Sequence, residues 1–379
     1  VRIVQVANFV APHSGGIRTV LNNLAAGYRD HGHDVVQIIP GAVPASTATS
    51  WGFREVIRAW PVPGSGYRLM NPAAVCRAIM AAGADRIEVH DRTTLRGLGT
   101  WAAWRDIHTL VVSHERLDRL VRQWLPDRVG ARPAISTWVD RDNAALARRF
   151  NAVVCTTEWA ATEFRRLPGA DVRIVPLGVD ADRFVPGNAD PDTRESLRRT
   201  GEVLVVLASR LSREKLPALA VLTVDALTRR GVRTRLVVAG DGPQRSQLQA
   251  LAARLNVAVR FLGHVPQREL ARWLASADVV LAPGPVETFC LAALEALASG
   301  TPVVCNSSSA VPEILGSAGV AATGEPEAWA VAVEDLLGRP ESQRRAAARQ
   351  RALRYGWGIT VRGMLVAHSC PVPANRPLD

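Results

Sequence analysis

At 379 residues the chain exceeds what one hydrophobic core usually supports, so two domains are expected. An apolar fraction of 47% with 21% charged residues fits a folded protein, and no apolar run reaches the roughly 18 residues that a membrane span needs. The net charge of +11 is spread over both halves, and aromatics make up 5% without any basic stripe, which argues against nucleic acid as a partner.

The chain opens on a strand-like run at 2–7, without the residue order of a signal peptide. His13, Ser14, Gly15, Gly16 and Ile17 follow, and then a helical pattern on Ile17, Val20, Leu21 and Leu24. Small residues at a strand-to-helix turn let the backbone approach a phosphate or a sugar, although a Gly-Gly pair also serves a tight turn alone. Strand-like runs recur at 34–39, 87–90, 109–113, 152–156 and 172–175. His114 stands at the carboxyl end of the run at 109–113, where parallel sheets gather their ligands. It suits a sugar hydroxyl or a charged reacting carbon, and it equally suits a structural place. Just beyond it, Leu117, Leu120, Val121, Trp124 and Leu125 form one helical face, with Arg116, Arg119 and Arg122 largely off it. That pattern fits either an interfacial membrane helix or a surface helix packed on the sheet.

Pro186, Gly187, Asn188, Asp190 and Pro191 mark a turn-rich break. Beyond it, runs at 203–208, 235–239, 259–261, 279–282 and 302–305 read as strands, each followed by a helical stretch. Two successive βαβ series imply two doubly wound parallel sheets of the α/β class. The expected domains are 1–185, a linker at 186–199, and 200–354, with 355–379 rejoining the first. Arg339, Arg344, Arg345, Arg349, Arg351 and Arg354 read as one solvated terminal helix.

Two constellations carry chemistry. After the run at 203–208 come Ser209, Arg210, Leu211, Ser212, Arg213, Glu214 and Lys215, and Lys215 is the single lysine of the chain. A departing diphosphate gathers negative charge, which a guanidinium fork and an ammonium would stabilise. The plainer alternative is a solubilising helix cap. After the run at 279–282 come Glu287, Thr288, Phe289, Cys290 and Leu291, with Glu295 inside the helix that follows. One carboxylate would hold a sugar and the other a ribose, with the amides of Phe289 to Leu291 facing phosphates. Two unrelated surface glutamates would look the same. The five cysteines, Cys76, Cys155, Cys290, Cys305 and Cys370, make no CxxC pair and suit a reduced chain without zinc. The Asp-x-Asp triplets at 140, 180 and 190 are read as chance, and no metal site is expected.

Together these residues resemble family 4 of the glycosyltransferases, with its GT-B fold of two Rossmann-like domains facing a cleft. Glu287 and Glu295 match the family's E-x7-E motif, and Arg210 with Lys215 match its diphosphate-binding R-x4-K motif. Gly16 matches the glycine near the donor phosphates, with Gly15 beside it. His114 matches the histidine near the sugar's reactive carbon. Gly240, within Ala239 to Pro243, and the stretch from Phe261 to Gly263 match further family segments, which puts His264 and Val265 at the base site. The resemblance implies a metal-independent, retaining transferase with an acceptor-side first domain and a donor-side second domain. Segments 6–9, 113–118 and 281–285 resemble actinobacterial GDP-mannose-dependent α-mannosyltransferases. This implies GDP-mannose as donor, a glycolipid or lipoglycan-precursor acceptor, and a cytoplasmic enzyme peripheral on the inner face of the plasma membrane. A UDP-sugar transferase making a small glycoside, and a non-catalytic nucleotide-sugar or anionic-lipid binding module, are the alternatives. Cys290 stands where many members have glycine, and Ser308 with Ser309 replaces a common glycine pair.

Overall fold

A computed structural model describes residues 1–10, 16–63, 65–124, 132–197, 199 and 201–371. Its contacts divide the chain into two compact units, Val1–Leu177 together with the chain from Trp357 onward, and Gly178–Gly356.

The first unit is built on β1 (Arg2–Val6), β2 (Asp34–Gly41), β3 (Ala45–Thr49), β4 (Gly52–Pro61), β5 (Arg68–Met70), β6 (Arg86–Val89), β7 (His108–Ser113), β8 (Ala152–Cys155) and β9 (Val172–Ile174). The sheet runs β3-β4-β2-β1-β6-β7-β8-β9, with β5 paired to β4. All pairings are parallel except those of β3 and β5 with β4. The central strands are buried on both faces, which is why they read as short continuous apolar runs. Strands β3, β4 and β5 were not anticipated from the sequence. They form an edge whose Ala45–Thr49 strand is largely exposed and carries no apolar alternation. Its tight turn depends on Gly52, at φ 149°, where a Cβ would lie 2.2 Å from the carbonyl oxygen of Val35.

The helix Trp357–Ala367 returns to this unit and lies on the helix Gly16–Asp30. Gly27 makes room for Val361, whose Cγ2 would stand 2.2 Å from a Cβ there. The Thr360 hydroxyl donates to the Pro176 carbonyl at 2.9 Å, and Arg173 donates to the Val366 carbonyl at 3.1 Å. The helix Leu117–Trp124 is fastened at its start. The Glu163 carboxylate accepts from the amides of Leu117 and Asp118 at 3.1 and 3.4 Å. Arg116, just before this helix, is buried beneath Trp159 and ion-paired to Asp118. Leu125 lies outside the described residues.

The second unit has six parallel strands, β10 (Val203–Ala208), β11 (Thr234–Ala239), β12 (Val259–Gly263), β13 (Val279–Ala282), β14 (Val303–Asn306) and β15 (Gly319–Ala322), in the order β12-β11-β10-β13-β14-β15. Val205, Leu207, Leu236, Val238, Trp329 and Val333 are part of its core. Within the stretch 186–199, Pro191–Leu197 is helical and tied to this unit, since Arg194 donates to the Ser276 carbonyl and to Asp278, both at 2.6 Å. The arginine-rich segment, expected as one solvated helix, is the helix Glu341–Ala352 with its guanidiniums put to internal use. Arg345 donates to the carbonyls of Ala275 and Ala277, Arg349 to those of Phe184 and Ala298, and Arg351 to those of Ile314 and Glu313. These are carbonyls at loops and helix ends, which lack backbone partners and attract cations. Among the described residues no helix is long and apolar enough to cross a membrane.

Candidate active site

The four adjacent strands β12, β11, β10 and β13 end side by side. Their carboxyl ends carry His264 and Val265, Gly240, Arg210 and Glu287, in that order. Here backbone partners run out and polar groups are left for ligands.

Beyond β10 the chain makes the turn Ser209 to Ser212 and a short 3₁₀ helix, Arg213–Lys215. Pro217 begins the next helix, and a proline disfavours the right-handed helical conformation in the residue before it. Leu216 does not continue the helix and stands in the left-handed region, at φ 46° and ψ 48°. The break leaves Lys215 as the last residue of the 3₁₀ helix, and its Nζ donates to Glu287 Oε1 at 2.7 Å. Arg210 is held by Glu214, whose Oε1 accepts from it at 3.0 Å. Glu214 also takes the Ser212 hydroxyl at 2.5 Å. Sequence reasoning gave Glu214 no part, although it lies inside the quoted motif.

The Arg210 turn is laced to the end of β11. The Ser209 amide donates to the Ala239 carbonyl at 3.1 Å and the Leu211 amide to the Asp241 carbonyl at 3.0 Å. Such close backbone approach requires Gly240, at φ 149°, where a Cβ would sit 1.9 Å from the Ser209 carbonyl oxygen. Gly240 also bridges Gly263, which brings the loop of exposed His264 and half-buried Val265 next to the Arg210 turn.

After β13 the loop carries Glu287, whose carbonyl accepts the Ala310 amide at 2.9 Å. Phe289 is buried and meets Tyr355 edge-on at 6.0 Å. Leu291 starts the helix Leu291–Ala298, and Glu295 lies within it. Cys290 caps that helix at φ 75° and ψ 79°, in the left-handed region that glycine occupies without strain. Replacing it by glycine should therefore raise stability by about 0.5–1 kcal/mol, since relief of about 1–2 kcal/mol is partly offset by glycine's greater chain entropy. Denaturant melts of wild type and Cys290→Gly check this, and a less stable variant would show that the thiol packing matters more. Burial pushes that thiol well above the usual range. Ser308 and Ser309 take no left-handed backbone. The Ser309 hydroxyl accepts the Val311 amide at 3.2 Å, at the start of the helix Val311–Leu315.

Burial raises the carboxyl of Glu295 to about 8. A folded pKa above the ordinary value near 4.5 means that its stability contribution is complete in acid and is lost as pH climbs through about 8. Thermal stability without ligand should fall over that window, and Glu295→Gln should remove this part of the fall. An unchanged pH profile in Glu295→Gln would count against the shift.

Of the first-unit residues, Gly16 opens the helix Gly16–Asp30, and a Cβ there meets nothing within 4 Å. Its glycine is therefore not required by packing among the described residues. Gly15, His13 and Ser14 lie outside those residues. His114 follows β7, and its Nε2 lies 2.8 Å from Nδ1 of His90 with the two rings stacked at 18°. Burial, reinforced by His90, takes the His114 imidazole down to about 3, so the ring is neutral at ordinary pH. His90 and its partner Glu88 were missed, although a glutamate inside an apolar strand run was a signal. Four of the six aspartates of the Asp-x-Asp triplets have side-chain partners within the protein. Asp140 pairs with Arg166, Asp142 with Arg96 and Asp180 with Arg183, while Asp190 accepts the Thr193 hydroxyl.

Two family models match the chain. "Glycosyl transferase 4-like domain" covers residues 15–179 and "Glycosyl transferases group 1" covers 189–353. A GDP-mannose-dependent alpha-(1-6)-phosphatidylinositol dimannoside mannosyltransferase of Mycobacterium tuberculosis is 42% identical over 96% of this chain and 95% of its own. A glycogen synthase of the same species is 30% identical over 89% and 86%. Among solved structures, the sucrose-phosphate synthase of Thermosynechococcus elongatus superposes with a TM-score of 0.78 at 19% identity, covering 97% of this chain and 98% of that one. That likeness is one of fold, two parallel-sheet α/β units in the GT-B manner. With both halves matched and a relative aligned almost end to end, the chain belongs to the group 1, family 4-like glycosyltransferases.

Proposed function

We propose that this glycosyltransferase is retaining and metal-independent, and that it moves α-mannose from GDP-mannose to a glycolipid or lipoglycan-precursor acceptor at a membrane surface. The observation that carries the chemistry is the contact of the single lysine with Glu287 beside Arg210, at the ends of adjacent strands. Donor and acceptor are those of the Mycobacterium relative described above.

In the proposed reaction the acceptor hydroxyl attacks the anomeric carbon on the face that the diphosphate leaves. The carbon–oxygen bond to the diphosphate breaks as the bond to the acceptor oxygen forms. The acceptor proton passes to the departing phosphate oxygen. Arg210 and Lys215 stabilise the charge gathering there, Arg210 as a two-pronged donor and Lys215 as a point charge. Glu287 accepts from sugar hydroxyls and thereby orients the ring. Neutral His114 assists at the carbon that becomes positive, without adding a repelling charge. Gly15 and Gly16 let the backbone approach the phosphates, and the amides of Phe289, Cys290 and Leu291 face them at a helix start. Glu295 takes the ribose hydroxyls, and His264 with Val265 and Gly240 borders the base. No side-chain nucleophile is required.

A donor screen in EDTA tests this reading, using GDP-mannose, UDP-glucose, UDP-galactose and UDP-N-acetylglucosamine with phosphatidylinositol dimannoside as acceptor. Turnover and thermal stabilisation with GDP-mannose alone are expected. A response to a UDP-sugar alone would discard the mannose assignment. Dependence on an added divalent cation would discard the metal-independent step, and binding without turnover would favour a non-catalytic module.

A further inference from the structure

Beneath His114 runs a chain of polar side chains that the proposed chemistry does not use. At its centre is Glu88 on β6, with its side chain fully buried. Its Oε1 is met by Nε2 of Gln5 at 3.1 Å and Nε2 of His90 at 2.5 Å. Its Oε2 is met by the Tyr28 hydroxyl at 2.6 Å and Nε2 of His368 at 3.1 Å. Burial alone would raise this carboxyl, but His90 and His368 outweigh it and hold the group well below the usual carboxylate range. An ionised carboxylate only accepts and has about four acceptor positions, so all four partners donate and the group is saturated.

The direction of the Gln5 contact is fixed from the other end as well. Arg54 only donates, and it donates to Gln37 Oε1 at 3.2 Å. Gln37 therefore presents its amide nitrogen to Gln5 Oε1, at 3.1 Å, and Gln5 turns its own nitrogen to Glu88. Glu88, ionised, is therefore the acceptor of the Nε2 proton of His90. That leaves Nδ1 of His90 to meet Nε2 of His114. Which nitrogen of an imidazole carries the proton is set by what the other nitrogen bonds.

We propose that Glu88 and His90 are positioning residues, which hold the ring of His114 and fix the nitrogen that carries its proton. Nε2 of His114 is the nitrogen that meets His90. The arrangement follows the logic of a reacting group oriented by a second, itself oriented by a third. This inference rests on the part proposed above for His114. His368 brings the returning C-terminal segment into the same cluster, because it shares Glu88 and because Arg86 donates to its carbonyl at 3.0 Å.

The test is side-chain 15N–1H correlation of histidine-labelled protein without substrate, on wild type, Glu88→Gln and His90→Asn, together with steady-state transfer. In wild type His114 should show one tautomer. Both variants should shift that population and should lower kcat about tenfold to a hundredfold, as loss of an outer partner does for metal-bound histidines, with donor KM little changed. Tyr28→Phe removes a donor from the other carboxylate oxygen. It should lower stability yet leave the His114 signals in place. The proposal is overturned if His114 mixes tautomers in wild type, if its signals are the same in all folded variants, or if Tyr28→Phe shifts them as much as Glu88→Gln. Should Glu88→Gln fail to fold, His90→Asn gives the same reading. The resonance measurement needs no sugar donor, so absence of turnover with every donor would count against the proposed function and leave this inference to be judged by the tautomers.

Discussion

Lys215→Ala should lower kcat/KM about 10²–10³-fold in nucleoside diphosphate release, the usual cost of removing one preorganised donor from a developing oxyanion. The effect follows from where the lysine stands. Its side chain is 27% exposed and lies 2.7 Å from Glu287. Burial pulls its pKa down, but the adjacent carboxylate outweighs this and leaves it above the ordinary lysine value, so the ammonium persists at any working pH. Alanine at this position removes the charge proposed to stabilise the leaving group and also leaves Glu287 half-buried without its cation, which would misplace the carboxylate proposed to orient the sugar. Arginine should not rescue it, because a planar fork cannot occupy the space of a compact ammonium. Since the two groups act as a unit, Lys215→Ala combined with Glu287→Gln should be little worse than the more damaging single change. Near-wild-type turnover in Lys215→Ala would sink the assignment. Fully additive losses would sink the coupling.

Gly240→Ala should be the most damaging change of a single methyl group, about 3 kcal/mol or more, with loss of donor binding. A Cβ would enter to 1.9 Å from the Ser209 carbonyl oxygen on a backbone at φ 149°. Neither strand end can retreat, because the Ser209 and Leu211 amides are bonded to the Ala239 and Asp241 carbonyls. The loop must therefore open, and that opening displaces Arg210. At roughly 2–4 °C per kcal/mol for a unit of this size, the melting of the second unit should drop by roughly 6–12 °C. Scanning calorimetry with and without donor checks both parts. A melting shift of a degree or less would mean that the loop relaxes cheaply.

The two sheets were legible because strands buried on both faces leave short apolar runs, as in 203–208 and 279–282. The edge strands β3 to β5 were not, since Ala45–Thr49 is a polar, exposed segment that becomes a strand only through pairing with β4. The arginines of Glu341–Ala352 looked like a solvated face because nothing local announces which carbonyls a guanidinium will cap from afar. At the site, residue types and motif spacing pointed to Arg210, Lys215 and Glu287. Their direct contact was not legible, because it depends on a left-handed break at Leu216 that a leucine does not advertise. Cys290 was flagged as a departure from glycine, and its positive φ gives that departure a physical content. Glu88 and His90 escaped notice because a buried charge is recognisable only once its four partners, drawn from distant parts of the chain, are assembled.

The first unit is discontinuous, closed by the helix Trp357–Ala367 and by His368 on Glu88. During synthesis on the ribosome, residues 1–177 emerge before 178–356, yet the space at Gly27 for Val361, the Pro176 carbonyl that takes the Thr360 hydroxyl, and one oxygen of a buried carboxylate must wait for residues 357–368. The second unit, whose residues are contiguous, can reach its final packing before the first. Order of emergence and order of completion are thus reversed in this protein. A nascent chain halted before Trp357 would hold a finished second unit and a first-unit sheet still lacking the helix Trp357–Ala367.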